Sequence, residues 1–352
     1  MFSFAKKYRP LLGLDITTSS VKLIELTMSG GQYRVESYAA EPMPHNAINE
    51  KAIVDADAVG EAIRRAVKRA GAKSRNAAIA ISGDAAITKV IQMPLSLREN
   101  ELEAQVELQA DQYIPFPMEE VSYDYQVVGP SDKDSTMMDV LLVATRTENV
   151  EQRRAAVQAA GLTAKLVDVE AFALENSCAL MRHQMPDGGM DRTVAVVDFG
   201  ASATTFSVLR DLKVVYTRDF AFGGHLLTEE IMRTYGLTME EAGRAKKEGG
   251  LPSNYQPEVL DPFIDDMTQQ VSRSLQFYLA SGSGRTQPDQ MLICGGCANI
   301  PGVADVISSR VGVAALKGDP LGNMKIASKA QSVVNDATAL LIACGLALRS
   351  FD

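Results

Sequence analysis

The feature that most constrains the fold of this chain is an internal duplication of one strand, turn and strand unit. One copy runs from Leu11 to Leu26, and its first apolar run ends at Asp15. The other runs from Thr193 to Leu209, and its first apolar run ends at Asp198. Both copies have the same spacing between the aspartate, the turn of small residues and the following strand. A duplication of this kind predicts two related α/β units, each carrying the same loop.

The two duplicated loops have the composition of a phosphate site. In each loop an aspartate ends a buried strand, and a serine follows four residues later, Ser19 in one copy and Ser202 in the other. Backbone N–H groups and hydroxyls in such a turn surround an anion, and the neighbouring carboxylate suits the magnesium that accompanies phosphate. One acidic strand end before a small-residue turn is common in unrelated proteins. Two in register, one in each half, favour a shared phosphate ligand.

Length and charge limit the classes of function. With 352 residues, the chain exceeds the usual span of one hydrophobic core, which predicts two domains or a bilobed unit. The net charge is −9 and the isoelectric point is near 5.1, and lysine and arginine are scattered along the sequence. A nucleic-acid partner is therefore not expected, because such binding requires clustered positive charge.

Cysteine usage and hydropathy predict a cytoplasmic protein. The four cysteines do not form a dense disulfide framework, and no signal peptide precedes the first strand, so we expect free thiols in a reducing compartment. The longest uncharged stretches fall short of the roughly 20 apolar residues that cross a bilayer. Phe2 to Arg9 mixes aromatic and basic side chains, which fits either a solvated terminus or a membrane or partner contact.

Hydrophobic periodicity predicts the remaining elements. Glycine after an amphipathic run marks a helix end, and prolines deny further backbone donors to a helix. The predicted helices are Ala56 to Ala70, Arg98 to Gln112 and Val150 to Ala160, and the predicted strands include Gln32 to Ala39, Ala77 to Ser82, Tyr123 to Val128, Met138 to Ala144 and Leu212 to Thr217.

Three motifs resemble those of the actin-like ATPase superfamily, which includes actin, sugar kinases, heat-shock chaperones and FtsA. They are Asp15-Ile-Thr-Thr-Ser-Ser-Val-Lys22, Asp198-Phe-Gly-Ala-Ser-Ala-Thr204 and Ile293-Cys-Gly-Gly-Cys-Ala-Asn-Ile-Pro-Gly302. The resemblance implies an α/β actin-like ATPase fold, with two duplicated lobes flanking a nucleotide cleft. It further implies ATP or ADP with Mg²⁺ as cofactors, and weak ATPase activity at most.

The resemblance also assigns site residues. Asp15 and Asp198 would hold the metal, and Glu170 would orient a catalytic water or serve as a structural acid at a helix start. Thr17 and Gly243 stand where the superfamily has a glycine and an acid. The residues expected to contact the nucleotide are Thr17, Thr18, Ser19, Ser20, Lys22, Gly200, Ala201, Ser202, Thr204, Gly223, Gly224, Lys246, Gly295, Gly296 and Asn299.

A more specific resemblance is to the PilM family of type IV pilus assembly proteins. Gln109 to Val121, Val167 to Leu174 and Cys344 to Arg349 carry it. It implies a cytoplasmic adaptor, peripheral at the inner membrane, that binds the N-terminal cytoplasmic tail of PilN and links the membrane platform to motor proteins. The tail would lie between subdomains 1A and 1C. The residues expected to contact it are Tyr113, Ile114, Pro115 and Phe116.

The same resemblance implies an FtsA-like division of the chain. The expected ranges are 1–86 for the first part of subdomain 1A, 87–161 for the 1C insert, 162–191 for the second part of 1A, 192–222 for the first part of 2A, 223–280 for 2B and 281–352 for the last part of 2A.

Other interpretations of the function stay open: an FtsA-like polymerising scaffold, a homo-oligomer, or a metabolic kinase of the superfamily. The absence of an FtsA-like C-terminal tether argues against the division protein.

Overall fold

The computed structural model describes residues 10–49, 51–131, 134–282 and 285–352. The expectation for Phe2 to Arg9 lies outside these residues. The strands, in chain order, are β1 Leu12–Ile16, β2 Ser20–Ser29, β3 Gln32–Pro42, β4 Ile48–Asn49, β5 Ala52–Ile53, β6 Asn76–Ile81, β7 Ala86–Pro94, β8 Val121–Pro130, β9 Met137–Arg146, β10 Thr163–Val169, β11 Thr193–Phe199, β12 Thr204–Arg210, β13 Lys213–Phe220, β14 Gln290–Gly295, β15 Ala315–Lys317 and β16 Lys325–Ile326.

Helices connect and cover these strands. The α-helices are α1 Ala56–Ala70, α2 Glu99–Tyr113, α3 Thr147–Ala159, α4 Glu170–Leu180, α5 Gly224–Tyr235, α6 Met239–Glu248, α7 Asp261–Ala280, α8 Val303–Val311 and α9 Leu341–Leu348. Short 3₁₀ segments lie at Gly83–Ala85, Met118–Glu120, Arg182–Gln184, Pro186–Gly189, Gly296–Asn299, Ser328–Ala339 and Arg349–Phe351, and a π-helical turn, Gln256–Leu260, precedes α7.

The duplication is visible in the sheets. The first sheet has the strand order β10-β6-β1-β2-β3-β16, and the second has β15-β14-β11-β12-β13. In each, an antiparallel meander continues on one side into parallel pairs, β1 with β6 and β11 with β14. The central strands are almost wholly apolar because helices cover both faces. The two halves predicted from the sequence are therefore two copies of one sheet topology.

Helix boundaries follow local sequence signals. Asp55 is the N-cap of α1, and its side chain accepts a hydrogen bond from the backbone N–H of Ala58. Gly71 ends the same helix in the left-handed region, with φ 56°. Val59, Ile63 and Val67 recur at helical spacing on its buried face and pack on the first sheet. The predicted range, Ala56 to Ala70, is confirmed.

The insert forms a separate small sheet. Its strand order is β7-β9-β8, and α2 covers one face through Leu102, Val106 and Ala110. Strand β7 was not expected from the sequence. The expected insert also differs from the structure at its end, because Ala156 and Val157 of α3 pack in the core of the first lobe, against α1. By packing, α3 therefore belongs to the first lobe and not to the insert.

The C-terminal segment returns to the first lobe. β16 pairs with β3, and α9 packs on β1 and α4. The residues from Leu321 to Ala347 that are buried here share a core with β2 and β3. The expected assignment of all of 281–352 to subdomain 2A is corrected accordingly, since only the part through β15 extends the second sheet.

The segment expected as subdomain 2B is helical and packs directly on the second sheet. Side chains of α5, α6 and α7 share one core with β11 and β12. Residues 223–280 therefore have no separate core of their own in the described structure.

A further core joins the lobes. Leu174 and Cys178 of α4 pack with Val194 and Val196 of β11, together with Leu341 at the start of α9. The two sheets are thus connected through a shared apolar contact as well as through the chain.

Among the described ranges, no single helix is long and apolar enough to cross a bilayer. The bent pair Ser328–Ala339 and Leu341–Phe351, at 114° to each other, meets that requirement only by length and composition and only as a pair.

Candidate functional site

The two duplicated loops face each other across the cleft between the lobes. The Thr18 Oγ1 of the first lobe lies 3.2 Å from the Ser202 Oγ of the second. Each loop follows the first strand of its meander, β1 or β11, so the duplicated topology positions both at the same end of their sheets. The prediction that two separate parts of the sequence build one site is consistent with this contact.

Asp15 pairs with Lys22 because of strand register. The two residues lie directly opposite each other on the antiparallel strands β1 and β2. The Lys22 Nζ donates to the Asp15 Oδ2 over 2.7 Å, and the carboxylate is buried. Burial opposes the ammonium charge, but Asp15, and at longer range Asp198, outweigh it and raise the pKa of Lys22.

Asp198 is the matching carboxyl of the second lobe. Burial raises its pKa to about 6, and the positive charge of Lys22 partly opposes this shift. Gly295, at the end of β14, leaves the space that Asp198 occupies. A Cβ at Gly295 would lie 2.6 Å from the Asp198 Oδ1 and 2.2 Å from the Phe199 carbonyl oxygen, and its φ is +84°. Only glycine fits there without moving the acid.

The Gly-Gly turn before α5 closes onto the second loop. The Gly224 N–H donates to the Gly200 carbonyl over 3.0 Å, and the His225 N–H donates to the Ala201 carbonyl over 2.8 Å. A Cβ at Gly223 would lie 2.4 Å from the Ala201 oxygen. The predicted glycines therefore let two backbone segments touch and hold the loop in shape.

Lys246 supports this turn from α6. Its Nζ donates to the Gly224 carbonyl over 2.9 Å and to the Thr228 Oγ1 over 2.7 Å. Burial lowers the pKa of Lys246. The structure thus places Lys246 at the second-lobe Gly-Gly turn, where it hydrogen-bonds to Gly224 and Thr228.

Two predicted contact residues use their hydroxyls within the protein. The Thr17 Oγ1 donates to the Ser20 carbonyl over 2.9 Å and closes its own loop. Thr204 is fully buried, and its hydroxyl donates to the Phe222 carbonyl over 2.6 Å. Thr204 was expected to contact the nucleotide, and its side chain does not face the cleft because it lies inside the second lobe.

The third motif, Ile293 to Gly302, borders the cleft, and its two adjacent glycines differ in burial and in the space around them. Gly295 is buried, with its carbonyl accepting from the Thr338 Oγ1 over 2.9 Å, whereas a Cβ at Gly296 would meet nothing within 4 Å. Asn299 is exposed. Burial raises the pKa of Cys297 to about 11, so this thiol stays protonated at neutral pH. All four cysteines are buried and free, as expected.

Glu170 is the first residue of α4, and its carboxyl group lies close enough to the charged groups of the cleft to be affected by them. Burial raises its pKa to about 7; Lys51 and Arg153 oppose the shift, and Asp15 reinforces it. A carboxyl with a pKa near neutrality can exchange protons at physiological pH, as a general base or water-orienting group must.

Several charged residues of the cleft carry no sequence signal that identifies them. The Lys51 Nζ lies 2.5 Å from the Asp219 Oδ2 of the second lobe and 3.5 Å from the Asp84 Oδ1 of the first. Arg153 is buried beside them and donates to the backbone. These residues belong to no motif and come from separate elements. Only their placement by the fold identifies them.

A magnesium ion fits the acids of the site only together with other ligands. In the part of the chain that the structure describes, no three His, Cys, Asp or Glu side chains form a metal-binding group. Asp15 and Asp198 are two such carboxyls, and magnesium is commonly held by one or two carboxylates with phosphate oxygens and water.

The expected partner-binding residues divide by burial. Tyr113 is 42% exposed, with the Lys89 Nζ 5.2 Å from its ring centroid. Pro115 is exposed, and Phe116 is partly buried beneath the guanidinium of Arg146. Ile114 is buried in the core of the insert, so its expected contact with a partner is corrected to packing beneath α2.

Comparison with known proteins gives a family match over nearly the whole chain. A family model described as type IV pilus assembly protein PilM matches residues 13–351. A solved structure, the PilM-PilN type IV pilus biogenesis complex, is similar at 27% identity and a TM-score of 0.79, covering 97% of this chain and 99% of that chain.

Two further relatives are more distant. Cell division protein FtsA of Bacillus subtilis (strain 168) is 24% identical over 262 residues, which are 68% of this chain and 58% of the relative. The chain therefore spans somewhat more than half the length of that protein. The ethanolamine utilization protein EutJ from Carboxydothermus hydrogenoformans has a TM-score of 0.56 and 18% identity, covering 99% of this chain and 91% of that one, and shares the fold. The actin-like ATPase fold is thereby confirmed.

Proposed function

This chain belongs to the PilM family of type IV pilus assembly proteins, and we propose that it is an ATP-binding adaptor for the N-terminal cytoplasmic tail of PilN. The match over residues 13–351 carries the proposal. The similarity to a solved PilM-PilN complex supports PilN as the partner. The adaptor would lie in the cytoplasm at the inner membrane, held there by its partner, and would link the membrane platform to motor proteins.

The facing loops support nucleotide binding between the lobes. Asp198 and Asp15 would hold Mg²⁺ and its waters, with Ser19, Ser20, Lys22 and the backbone of Gly200 to Ser202 around the phosphates. The metal supplies charge neutralisation on phosphate oxygens. Gly296 offers open surface for the adenosine, and Gly295 keeps the backbone close to Asp198.

Residues of the chain would couple this site to the partner groove. The Thr18 to Ser202 contact joins the two lobes at the loops, so a ligand bound there bridges both. Closing the lobes would set the shape of the groove between the first lobe and the insert, where Tyr113, Pro115 and Phe116 are candidates for contact with the tail. Glu170 would orient a water in any hydrolysis, with weak ATPase activity at most.

Calorimetry with the Asp198→Ala variant tests the proposal. We expect affinity for Mg-ATP to fall at least about tenfold, because the variant removes one of two carboxylates at the metal. Affinity for a synthetic PilN tail peptide should change in the same experiment when ATP is present. Asp266→Ala, an exposed acid on α7 of the same lobe, is the control. If Asp198→Ala leaves both affinities unchanged, the mechanism is wrong.

A membrane pull-down tests the partner. With the full chain as bait, we expect recovery of a single-pass protein through its short cytoplasmic tail. Sedimentation with ATP gives the competing result, because pelleting filaments without such a recovery would favour a polymerising scaffold.

A further inference from the structure

Lys51 makes an ionic contact between the two lobes outside the phosphate loops. It lies in the β4–β5 hairpin of the first lobe, and its Nζ is 2.5 Å from the Asp219 Oδ2 on β13 of the second lobe. A second carboxylate, the Asp84 Oδ1 of the first lobe, is 3.5 Å from the same nitrogen. The lysine therefore has one partner within its own lobe and a closer one across the cleft.

The backbone of Lys51 is held in an unusual conformation. Its φ is +70°, in the left-handed region, which is unfavourable for a side chain with a Cβ. The Lys51 carbonyl accepts a hydrogen bond from the Arg153 Nη2 over 3.2 Å, and the Nε of the same buried arginine donates to the Ala80 carbonyl over 2.7 Å. Arg153 thus fixes the hairpin to β6 of the first sheet and aims the lysine.

The carboxylate of Asp219, which accepts from Lys51, is likewise held in place within the second lobe. The Asp219 Oδ1 accepts from the Thr205 Oγ1 over 2.7 Å, on the neighbouring strand β12. Both side chains of the ion pair are about three-quarters shielded from solvent, at 25% and 24% exposure. A pair with this shielding and fixed geometry is less weakened by water and salt than a freely exposed pair.

The ion pair is part of the electrostatics of the cleft. The charges of both Lys51 and Asp219 act on Glu170, the candidate water-orienting acid. Burial opposes the ammonium of Lys51, while the hydrogen bond and charge of Asp219 raise its pKa, so it remains a cation at neutral pH. Any relative movement of the lobes that lengthens this contact takes Asp219 away from Lys51 of the first lobe, and Lys51 away from Asp219 of the second.

We propose that the Lys51–Asp219 pair is an interlobe latch that stabilises the closed arrangement of the cleft, with Arg153 as the residue that positions it. The lobes also share the apolar core formed by α4, β11 and α9, and the ion pair is a second connection outside that core. Its consequence for nucleotide exchange rests on the proposed function, but its effect on lobe separation does not.

The latch is tested by charge reversal in the nucleotide-free full chain. Spin labels at Lys68→Cys on α1 and Glu229→Cys on α5, both exposed positions, report the distance between lobes, since the native cysteines are buried. We expect Lys51→Asp and Asp219→Lys each to broaden and lengthen the distance distribution, and the double variant to return it toward that of the wild type.

Milder variants and a matched control exclude general effects. Lys51→Met and Asp219→Asn, checked for folding by thermal unfolding, should shift the distribution in the same direction, and Lys51→Arg should preserve it. Reversing the exposed Arg310–Asp265 pair within the second lobe should leave it unchanged. The latch is overturned if the single variants match the wild type, if the double variant fails to restore the distribution, or if the control broadens it equally.

Release of a fluorescent ATP analogue separates this proposal from the proposed function. We expect release at least about threefold faster from the single variants than from the wild type. If the wild type binds no analogue while the distances respond as expected, the nucleotide function fails and the latch stands.

Discussion

Glu170 shows how a single acid acquires a special environment from its neighbours. It is the first residue of α4 and lies among charged groups of both signs. Lys51 and Arg153 lower its pKa, whereas Asp15 and Asp219 raise it. The loss of hydration outweighs the cations, so its pKa rises to about 7. Its proton occupancy therefore depends on pH within the physiological range.

This raised pKa predicts a contribution of Glu170 to the pH dependence of stability. The folded pKa of about 7 exceeds the unfolded value of about 4.5, so the folded protein binds more protons between these values. The contribution of this group to the free energy of unfolding is therefore full below about pH 4.5 and is lost as pH rises through 7. We expect Glu170→Gln to increase stability relative to the wild type more at pH 8 than at pH 5, by on the order of 1 to 3 kcal/mol.

Urea unfolding of both proteins at the two pH values measures this difference. Glu119→Gln, an exposed acid in the insert, serves as the control and should show no such pH-dependent gain. An equal effect of Glu170→Gln at both pH values would contradict the raised pKa.

At the scale of elements, two helices approach closely enough to require glycine. A Cβ at Gly345 of α9 would lie 1.8 Å from the Ala173 carbonyl oxygen of α4. A Cβ at Gly13 of β1 would lie 2.1 Å from the Ala343 carbonyl oxygen. These contacts fix α9 between α4 and the first sheet, and so orient the helix that begins with Glu170.

We therefore expect Gly345→Ala to lower the free energy of unfolding by about 3 kcal/mol or more, because backbone must move to admit the methyl group. Gly243→Ala in α6 is the matched control, since its Cβ would meet nothing within 4 Å. That change should instead stabilise the protein by about 0.5 to 1 kcal/mol, through improved helix propensity. Denaturant unfolding of both variants distinguishes the two, and similar effects in both would exclude close helix packing as the cause.

At the scale of the whole molecule, the proposed adaptor has two ligands at two places. The nucleotide would bind between the lobes, whereas the PilN tail would bind between the first lobe and the insert. The insert carries eleven acidic and four basic residues between 86 and 146, so most of the net charge of −9 belongs to it. A shift of the lobes that changes the groove must couple the two ligands through one conformational equilibrium.

Such coupling is reciprocal. We expect ATP to change the affinity for the PilN tail peptide by the same factor by which the peptide changes the affinity for ATP, with a factor of about 5 or more. Calorimetry of each titration in the presence of the other ligand measures both factors. Tyr113→Ala should weaken peptide binding without weakening ATP binding in the absence of peptide, whereas Leu108→Ala, an exposed apolar residue of the same helix, should change neither. Independent affinities would rule out lobe closure as the link between the sites.

The sequence by itself determined the duplicated halves, the superfamily motifs, most of the described strands and the helices α1, α2 and α3. Periodicity, caps and turn residues are local, so they can be read without knowing what a segment packs against. The strand, turn and strand unit of β1 and β2, for example, is predicted from its two apolar runs and short turn, and the observed register then places Asp15 opposite Lys22.

The tertiary structure alone decided which distant segments share a core or a charge cluster. It placed α3 and the C-terminal helix in the first lobe, buried Ile114 and Thr204, and brought Lys51 to Asp219 across the cleft. Such contacts depend on the relative placement of whole elements. Neither residue type nor spacing along the chain encodes that placement when 168 positions separate the partners.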